Sequence, residues 1–576
     1  MPIFHEKTFS KTASGLVIVL CFLIIYPVFQ IGHKELRWDE GYYAAIASEM
    51  DILKPNTVAQ GELIFSYPLY PWFVALLYKV PLDFLKYEFG LRLISILSIM
   101  ALALIVWETA RKAIDEEAGL VAAAALVSSL LVMEKGLEGY PEMLGRVFLF
   151  SAWMTWFKLG AVKGKWNSAW TISFFFCGLA FYTIGWSGIF FFAFPLIFMR
   201  RPLTIWSRLK KPGFGVGVII LASFIAFWGW PILTKQADMP FRNLSLNFTQ
   251  NSDYFEQILL FPLQLVLRLM PWSLLAWPAF CPAYQPLDKN PVFSRFLKTI
   301  FISLFFIFWI RPDTDWRDIS ILAAPLAILV GVNYSILVRR HGDLFIKIIR
   351  RLLSAVTVLL FLILLFHLCM IFGLLTSSGS YLQGFLSQMD DFKIRQMLEK
   401  GTFAKIAIYA VAESIIMIIV LIYVLRKKIN QMPVWAAILI LTTGGTVCYW
   451  LFVAPAQAAV QDNRPFAQEI DKLLRDDGNE MPVIYKAPEI KGLNAPFLYV
   501  NCTVRKLKKS FSEIPASETT VFVVGPDYPA SQDRTWENMT PKPIIYKKHS
   551  LYLWKGTLTK KDDATPPAIN KDQTPE

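Results

Sequence analysis

Two groups of carboxylates stand out in a chain that is otherwise apolar. Asp39 and Glu40 sit side by side in "RWDEGYYAAIASEM", directly after the apolar run "GLVIVLCFLIIYPVFQIG". Glu134, Glu138 and Glu142 lie in "MEKGLEGYPEMLGR", at the head of a later apolar run. Two stretches add cations: "RPDTDWRD" at 311–318, with Arg311 and Arg317, and 235–256, with Lys235 and Arg242. Carboxylates facing a cavity at a membrane edge are costly and usually mark a substrate or ion path. A carboxylate can take the proton of an attacking hydroxyl, and cations can stabilise a departing phosphate. Facing one another, these groups suit transfer of a group from a phosphate-linked donor. Each also has a plainer reading. Asp39 can cap the helix that "YYAAIASEM" predicts, with Glu40 in its first turn. Glu142 follows Pro141, a helix-start pattern, and can be only a first-turn residue. The mixed charges at 311–318 and 235–256 can belong to solvated loops.

The elements that must position these groups are membrane helices. Of 576 residues, 55% are hydrophobic and 18% charged, against roughly 25% charged in soluble proteins. Mean hydropathy is +0.45. Apolar runs long enough to span recur through most of the chain, which predicts an α-helical polytopic membrane protein surrounded by membrane lipids. The first run is too long, and lacks the small-residue site, for a cleaved signal. The net charge of +13 comes from basic residues between apolar runs, so it fits membrane topology and no nucleic-acid partner is expected. The six cysteines imply no disulfide framework. His5, His33, His341, His367 and His549 are scattered. No cofactor is expected, and a divalent metal is left open.

Thirteen spans are readable, near 13–32, 89–109, 117–134, 142–160, 167–182, 185–200, 213–234, 257–282, 294–310, 319–338, 346–375, 402–425 and 433–454. "LYPWFVALLYKV" (69–80) is too short to span and is expected as a juxtamembrane helix in the interface. With the N-terminus inside, thirteen spans put nearly every dense basic cluster inside, from Arg111 and Lys112 to Arg426, Lys427 and Lys428. Outside are then 33–88, the turn near 135–141, 235–256, 311–318, 376–401 and everything after about 455. The domain reading follows: 1–454 as the transmembrane catalytic domain, with 33–88 as its first outside loop; 455–556 as a small extracytoplasmic α/β domain; 557–576 as a disordered tail. In the second, "NRPFAQEIDKLLRDDG" has helical spacing, with Phe466, Ile470 and Leu473 or Leu474 on one side. "MPVIYKA", "PFLYVNC", "TTVFVVGPD" and "PIIYKK…LYLWKG" read as strands.

In order along the chain, these motifs resemble the integral-membrane GT-C glycosyltransferases, in the branch of the lipid A aminoarabinose transferase and the protein O-mannosyltransferases. An Asp-Glu pair opening the first outside loop, followed by a Tyr and a short helix, is matched by "WDEGYYAAIASEM". The juxtamembrane Pro-Leu-Tyr segment is matched by "YPLYPWFVALLYKV", and the acid heading the fourth span by Glu142. The Gly-rich span is matched by "GLAFYTIGWSGIFFFAFP", the Pro-Trp-Ser span by "LMPWSLLAWPAF", and the charged loop with its Pro-containing span by "DWRDISILAAPLAILVG". Two departures stand out. Lysines that relatives use toward the donor phosphate are replaced by Ser66 and Tyr67, and by Ile184; the second acid, commonly Asp, is Glu142.

The resemblance implies a sugar donor on a polyprenyl phosphate. The acceptor would be lipid A, another glycolipid, a glycan or a protein, and the anomeric centre would be inverted. It implies a bacterial inner membrane, with the N-terminus cytoplasmic and the C-terminal domain periplasmic or otherwise extracytoplasmic. Asp39 is then the expected general base, Glu40 a positioning group, and Glu142 a group orienting sugar or acceptor. Arg317, Arg242 and Tyr67 are the candidates for the donor phosphate. A transporter or flippase of a lipid-linked sugar is the competing reading. It is disfavoured by the absence of visible internal repeats and by acids clustered at one surface. Loss of a general base typically costs roughly 10²–10⁴-fold in rate. Asp39→Asn should therefore nearly abolish turnover in a sugar-transfer assay while the protein still folds and inserts; near-normal turnover would remove Asp39 from that role.

Overall fold

The computed structural model describes Leu36 and residues 38–50, 58–59, 62–63, 67–82, 88–200, 202–233, 254–311, 315–371, 402–428, 432–449, 451, 464–476, 482–487, 500, 502–507, 514–515, 520–526, 528–529, 534–540, 544–546 and 549–558. The first predicted span (13–32), Arg242, the 376–401 loop and the tail beyond Leu558 lie outside the described residues. Two compact units form. One comprises Met1–Glu35, Met50–Asn56 and Phe65–Val460; the other comprises Leu36–Glu49, Thr57–Ile64 and Gln461–Glu576.

The first unit is helical. Four of its described helical segments, Glu88–Ala113, Pro212–Trp230, Pro291–Ile310 and Trp316–Cys369, are long and apolar enough to cross a membrane. Tyr254–Arg268 and Ser273–Phe280 pass that test together but are bent by 112°. Pro271 lies in the break, with no N–H to continue a helix, so the expected continuous run 257–282 is broken. Leu69–Tyr78 has ten residues, about 15 Å at 1.5 Å per residue and half a hydrocarbon core. The expected loop between 338 and 346 is absent: Ala323–Ile371 is helical throughout. Its basic segment "VRRHGDLFIKIIRR" holds no proline to stop a helix.

Packing in this unit is aromatic and close. Trp156 is fully buried. It meets Trp166 and Trp170 edge-on at 5.3 and 5.9 Å and stacks on Phe296 at 6.0 Å. Such pairs add about 0.5–1.5 kcal/mol each beyond area burial. Polar side chains clasp helix ends. Asp115 accepts from Ala118 N and pairs with Lys289, while Asn290 accepts from Phe293 N and donates to the Ala113 carbonyl.

The second unit holds a short antiparallel pair, β1 (Val58–Ala59) and β2 (Glu62–Leu63), and a mixed sheet. The sheet strands are β3 (Val483–Lys486), β4 (Thr503–Lys506), β5 (Thr520–Gly525), β6 (Arg534–Asn538), β7 (Ile544–Tyr546) and β8 (His549–Leu558). Their order is β4-β3-β5-β8-β6, with β7 also on β8; β3 is parallel to β4 and β5, and the rest pair antiparallel. Strand β5 alternates: Phe522 and Val524 join a core with Ala467, Ile470 and Leu474 of helix Arg464–Asp476, and Val521 and Val523 join one with Tyr485. Most of "PFLYVNC", expected as a strand, lies outside the described residues, and the strand Thr503–Lys506 directly after it was not expected. The polar "RTWEN" of β6 carries no apolar run from which a strand is legible. Strand β8 reaches Leu558, past the expected start of the tail.

Helix Ala323–Ile371 and helix Glu116–Val127 touch where Gly331 meets Ala118: a Cβ on Gly331 would lie 2.5 Å from the Ala118 carbonyl oxygen. Backbone cannot yield as a side chain can, so small residues set such close approaches. Gly331→Ala should lower thermal stability in detergent by about 1–3 kcal/mol. Gly215→Ala, which meets nothing within 4 Å, should not. Equal melting of the two variants would contradict this contact.

Candidate active site

The acidic segment 134–142 sorts itself by pairing. Glu134 pairs with Arg268 at 2.7 Å, and Lys135 lies 3.3 Å from Glu138 and 3.5 Å from Glu134. Arg268 also sits over the Trp316 ring at 4.3 Å. Glu142 differs: its Oε2 is buried and has no hydrogen-bond partner among the described residues. Pro141 precedes helix Glu142–Thr155, so the carboxylate occupies the first turn, at the positive end of the helix dipole. Its charged neighbours are Asp318, Arg317 and Arg146. The turn before one helix and the loop before another, distant in sequence, therefore meet, and Arg317 is among the charged neighbours of Glu142.

Arg317 is held from two sides. Its Nε and Nη2 lie 2.8 and 2.7 Å from Asp315 Oδ2, and its guanidinium lies 3.9 Å from the Tyr140 ring centroid. Stacking on an aromatic face favours a guanidinium while leaving its edge for hydrogen bonds. Asp315 also accepts from Arg317 N, at the start of helix Trp316–Ile319. Burial works against charge on the Asp315 carboxyl. The Arg317 N–H and guanidinium more than offset that, holding it below the usual carboxylate range.

Arg146 is not among the residues singled out from the sequence. It follows Glu142 by one helical turn, on the same face. It is 2% exposed. Its Nη2 donates to the Asp318 carbonyl at 3.0 Å and the Arg317 carbonyl at 3.3 Å, and reaches Asp318 Oδ1 at 3.4 Å. The available signal was an arginine inside the apolar run "MLGRVFLF": an ionisable residue within a span nearly always faces a partner or a cavity. Asp318 and Tyr140 carry no such signal.

The other predicted residues have surroundings of their own. Tyr67 is half-buried, stacked on Trp228 at 5.3 Å and edge-on to Phe181 at 5.7 Å. Trp186 N donates to its oxygen, and burial pushes its phenol above the ordinary value. Ile184 packs on Gly145, where a Cβ would lie 2.6 Å from its methyl. Asp39 and Glu40 lie in the first turn of helix Trp38–Glu49, in the second unit. Glu40 is 1% exposed, and the Asp39 side chain lies outside the described residues. Among the described residues no group of three His, Cys, Asp or Glu side chains is placed to hold a metal.

The backbone course matches that of solved enzymes. ArnT from Cupriavidus metallidurans, solved bound to undecaprenyl phosphate, aligns over 95% of this chain and 98% of its own, with TM-score 0.62 and 14% identity. Its apo structure aligns over 94% and 98%, with TM-score 0.63 and 14% identity. The chain has the GT-C fold. It is accordingly a multi-pass membrane protein. Residues 66–230 match the family model for dolichyl-phosphate-mannose-protein mannosyltransferases. That GT-C segment contains Tyr67, Glu142, Arg146 and Gly185. No curated protein matches the chain in sequence.

Gly185 separates helices Trp166–Ile184 and Trp186–Ile197 with φ +69°, and a Cβ there would lie 2.0 Å from the Tyr67 ring. Both the positive φ and the contact require glycine. Gly185→Ala should displace Tyr67, and pairing it with Tyr67→Ala should recover only part of the lost thermal stability, since the backbone cost of about 1–2 kcal/mol remains. Full recovery would show that only the ring contact matters.

Proposed function

We propose that this chain is a membrane glycosyltransferase. It moves a sugar from a polyprenyl-phosphate-linked donor to an acceptor hydroxyl or phosphate on lipid A, another glycolipid, a glycan or a protein, at the extracytoplasmic face. The observation that carries the reading is the buried Glu142 carboxylate, one oxygen of which has no hydrogen-bond partner among the described residues, near Arg317. It occurs in a chain that shares its fold with an enzyme solved with undecaprenyl phosphate.

In this reading Asp39 takes the proton from the acceptor O–H as that oxygen attacks the anomeric carbon. The bond from that carbon to the phosphate oxygen breaks, its electron pair stays on the phosphate, and the centre inverts. Glu40 positions the base or the acceptor. Glu142 hydrogen-bonds a hydroxyl of sugar or acceptor and fixes its orientation. Arg317 offsets the charge that grows on the phosphate. Arg242 and Tyr67 are the further proposed donor contacts. The departures at Ser66, Tyr67 and Ile184 leave this duty to arginine rather than lysine. A guanidinium offers a planar fork suited to two phosphate oxygens.

Purified protein incubated with a radiolabelled polyprenyl-phosphate sugar and a membrane extract should pass label to a lipid, glycan or protein. Glu142→Gln should reduce that transfer by about 10–100-fold, the worth of a hydrogen bond to a charged group. Movement of intact donor across vesicles without cleavage of the sugar–phosphate bond would instead establish the flippase reading.

A further inference from the structure

Arg146 is buried in a way that stability alone does not explain. Replacing a buried ion pair by apolar side chains is often neutral or stabilising. Here the arrangement is less favourable still, because Arg146 Nε and Nη1 have no hydrogen-bond partner among the described residues. What Arg146 does hold is specific: the backbone carbonyls of Arg317 and Asp318, and the Asp318 carboxylate. Its aliphatic stem rises from the turn that carries Glu142, and its guanidinium lies 5.8 Å from the Phe191 ring. The Arg317 side chain is aimed by Asp315 and Tyr140; its backbone is fixed by Arg146.

We propose that Arg146 is a positioning residue, which pins the main chain at 317–318 to the Glu142 helix and so sets the affinity of Arg317 for a lipid phosphate that Arg146 does not touch. This rests on the reading of the site as one that takes a polyprenyl phosphate. A phosphate accepting from a guanidinium needs both N–H groups aligned to its oxygens, so a shift of the Arg317 backbone loses the bidentate geometry even with Arg317 present.

The test is equilibrium binding of radiolabelled undecaprenyl phosphate to the full-length purified chain in lipid nanodiscs. Variants are Arg146→Met, Arg146→Lys, Arg317→Met and the Arg146→Met/Arg317→Met double variant, each with its melting temperature recorded. Arg146→Met and Arg317→Met should each raise Kd at least about tenfold, the scale of a charged hydrogen bond. The double variant should bind no more weakly than Arg317→Met, because both losses run through one guanidinium. Arg146→Lys should regain part of the affinity. A purely structural clamp would move the melting temperature and leave Kd unchanged in Arg146→Met, and that result overturns the proposal. So does a double variant whose loss is the product of the single losses, which would make Arg146 an independent contact. If Arg146→Met is not recovered folded, Asp318→Asn replaces it in the cycle. That variant should raise Kd about two- to fivefold in the Arg317 background and not at all in Arg317→Met; an unchanged Kd overturns the proposal. If the unaltered chain does not bind undecaprenyl phosphate, the lipid-phosphate reading fails and this proposal fails with it. Binding that is insensitive to Arg146 removes the proposal alone.

Discussion

A charge taken into a helical membrane bundle must be met by opposite charge or by fixed dipoles, and every feature of the site follows from how Glu142, Arg146 and Asp318 meet that constraint. Arg146 is 2% exposed and reaches two carbonyls and a carboxylate with one terminal nitrogen. Asp318 is itself partly exposed, so what keeps the buried guanidinium from being stranded is the two carbonyls together with that carboxylate. The helix head at 142 and the turn at 315–318 are therefore bound to one another, although more than 170 residues of sequence separate them. Arg317 is carried to Glu142 by that union. Glu134 and Glu138, matched by Arg268 and Lys135, are satisfied and add rigidity rather than reactivity.

Much of this was legible in the sequence, for identifiable reasons. Hydropathy and basic clusters mark membrane helices because lipid demands both. Helix starts at Glu142 and Pro291 follow from a preceding or first-turn proline. That Glu142 and Arg317 are neighbours was open in the sequence, which placed both loops on one side and also allowed 311–318 to be a solvated loop. What escaped was of two kinds. The bend in 254–280 and the unbroken helix through 339–351 carry local signals, Pro271 in the first and the absence of proline in the second, that a scan for apolar runs and basic clusters passes over. Arg146 was hidden for a different reason: scanning for apolar runs tolerates one charge and passes over it, although an arginine inside such a run is itself a signal. The edge strand Arg534–Asn538 was unreadable because nearly all of its side chains are polar.

The positions where the resemblance leads one to expect lysine have been rebuilt in apolar form. Tyr67 lies against Gly185 and stacks on Trp228, and Ile184 fills the space beside Gly145. Aromatic stacking and aliphatic packing there stiffen the junction of helices Trp166–Ile184 and Trp186–Ile197. In the proposed reading, the cation that meets the donor phosphate is then an arginine. Guanidinium groups remain charged at any working pH and tolerate burial better than ammonium groups.

A structure of this protein with undecaprenyl phosphate bound tests the central claim most directly. The account predicts phosphate density within hydrogen-bond reach of the Arg317 guanidinium, with the Glu142 carboxylate facing the position of the attached sugar. Phosphate held by other cations, out of hydrogen-bond reach of Arg317, would contradict it.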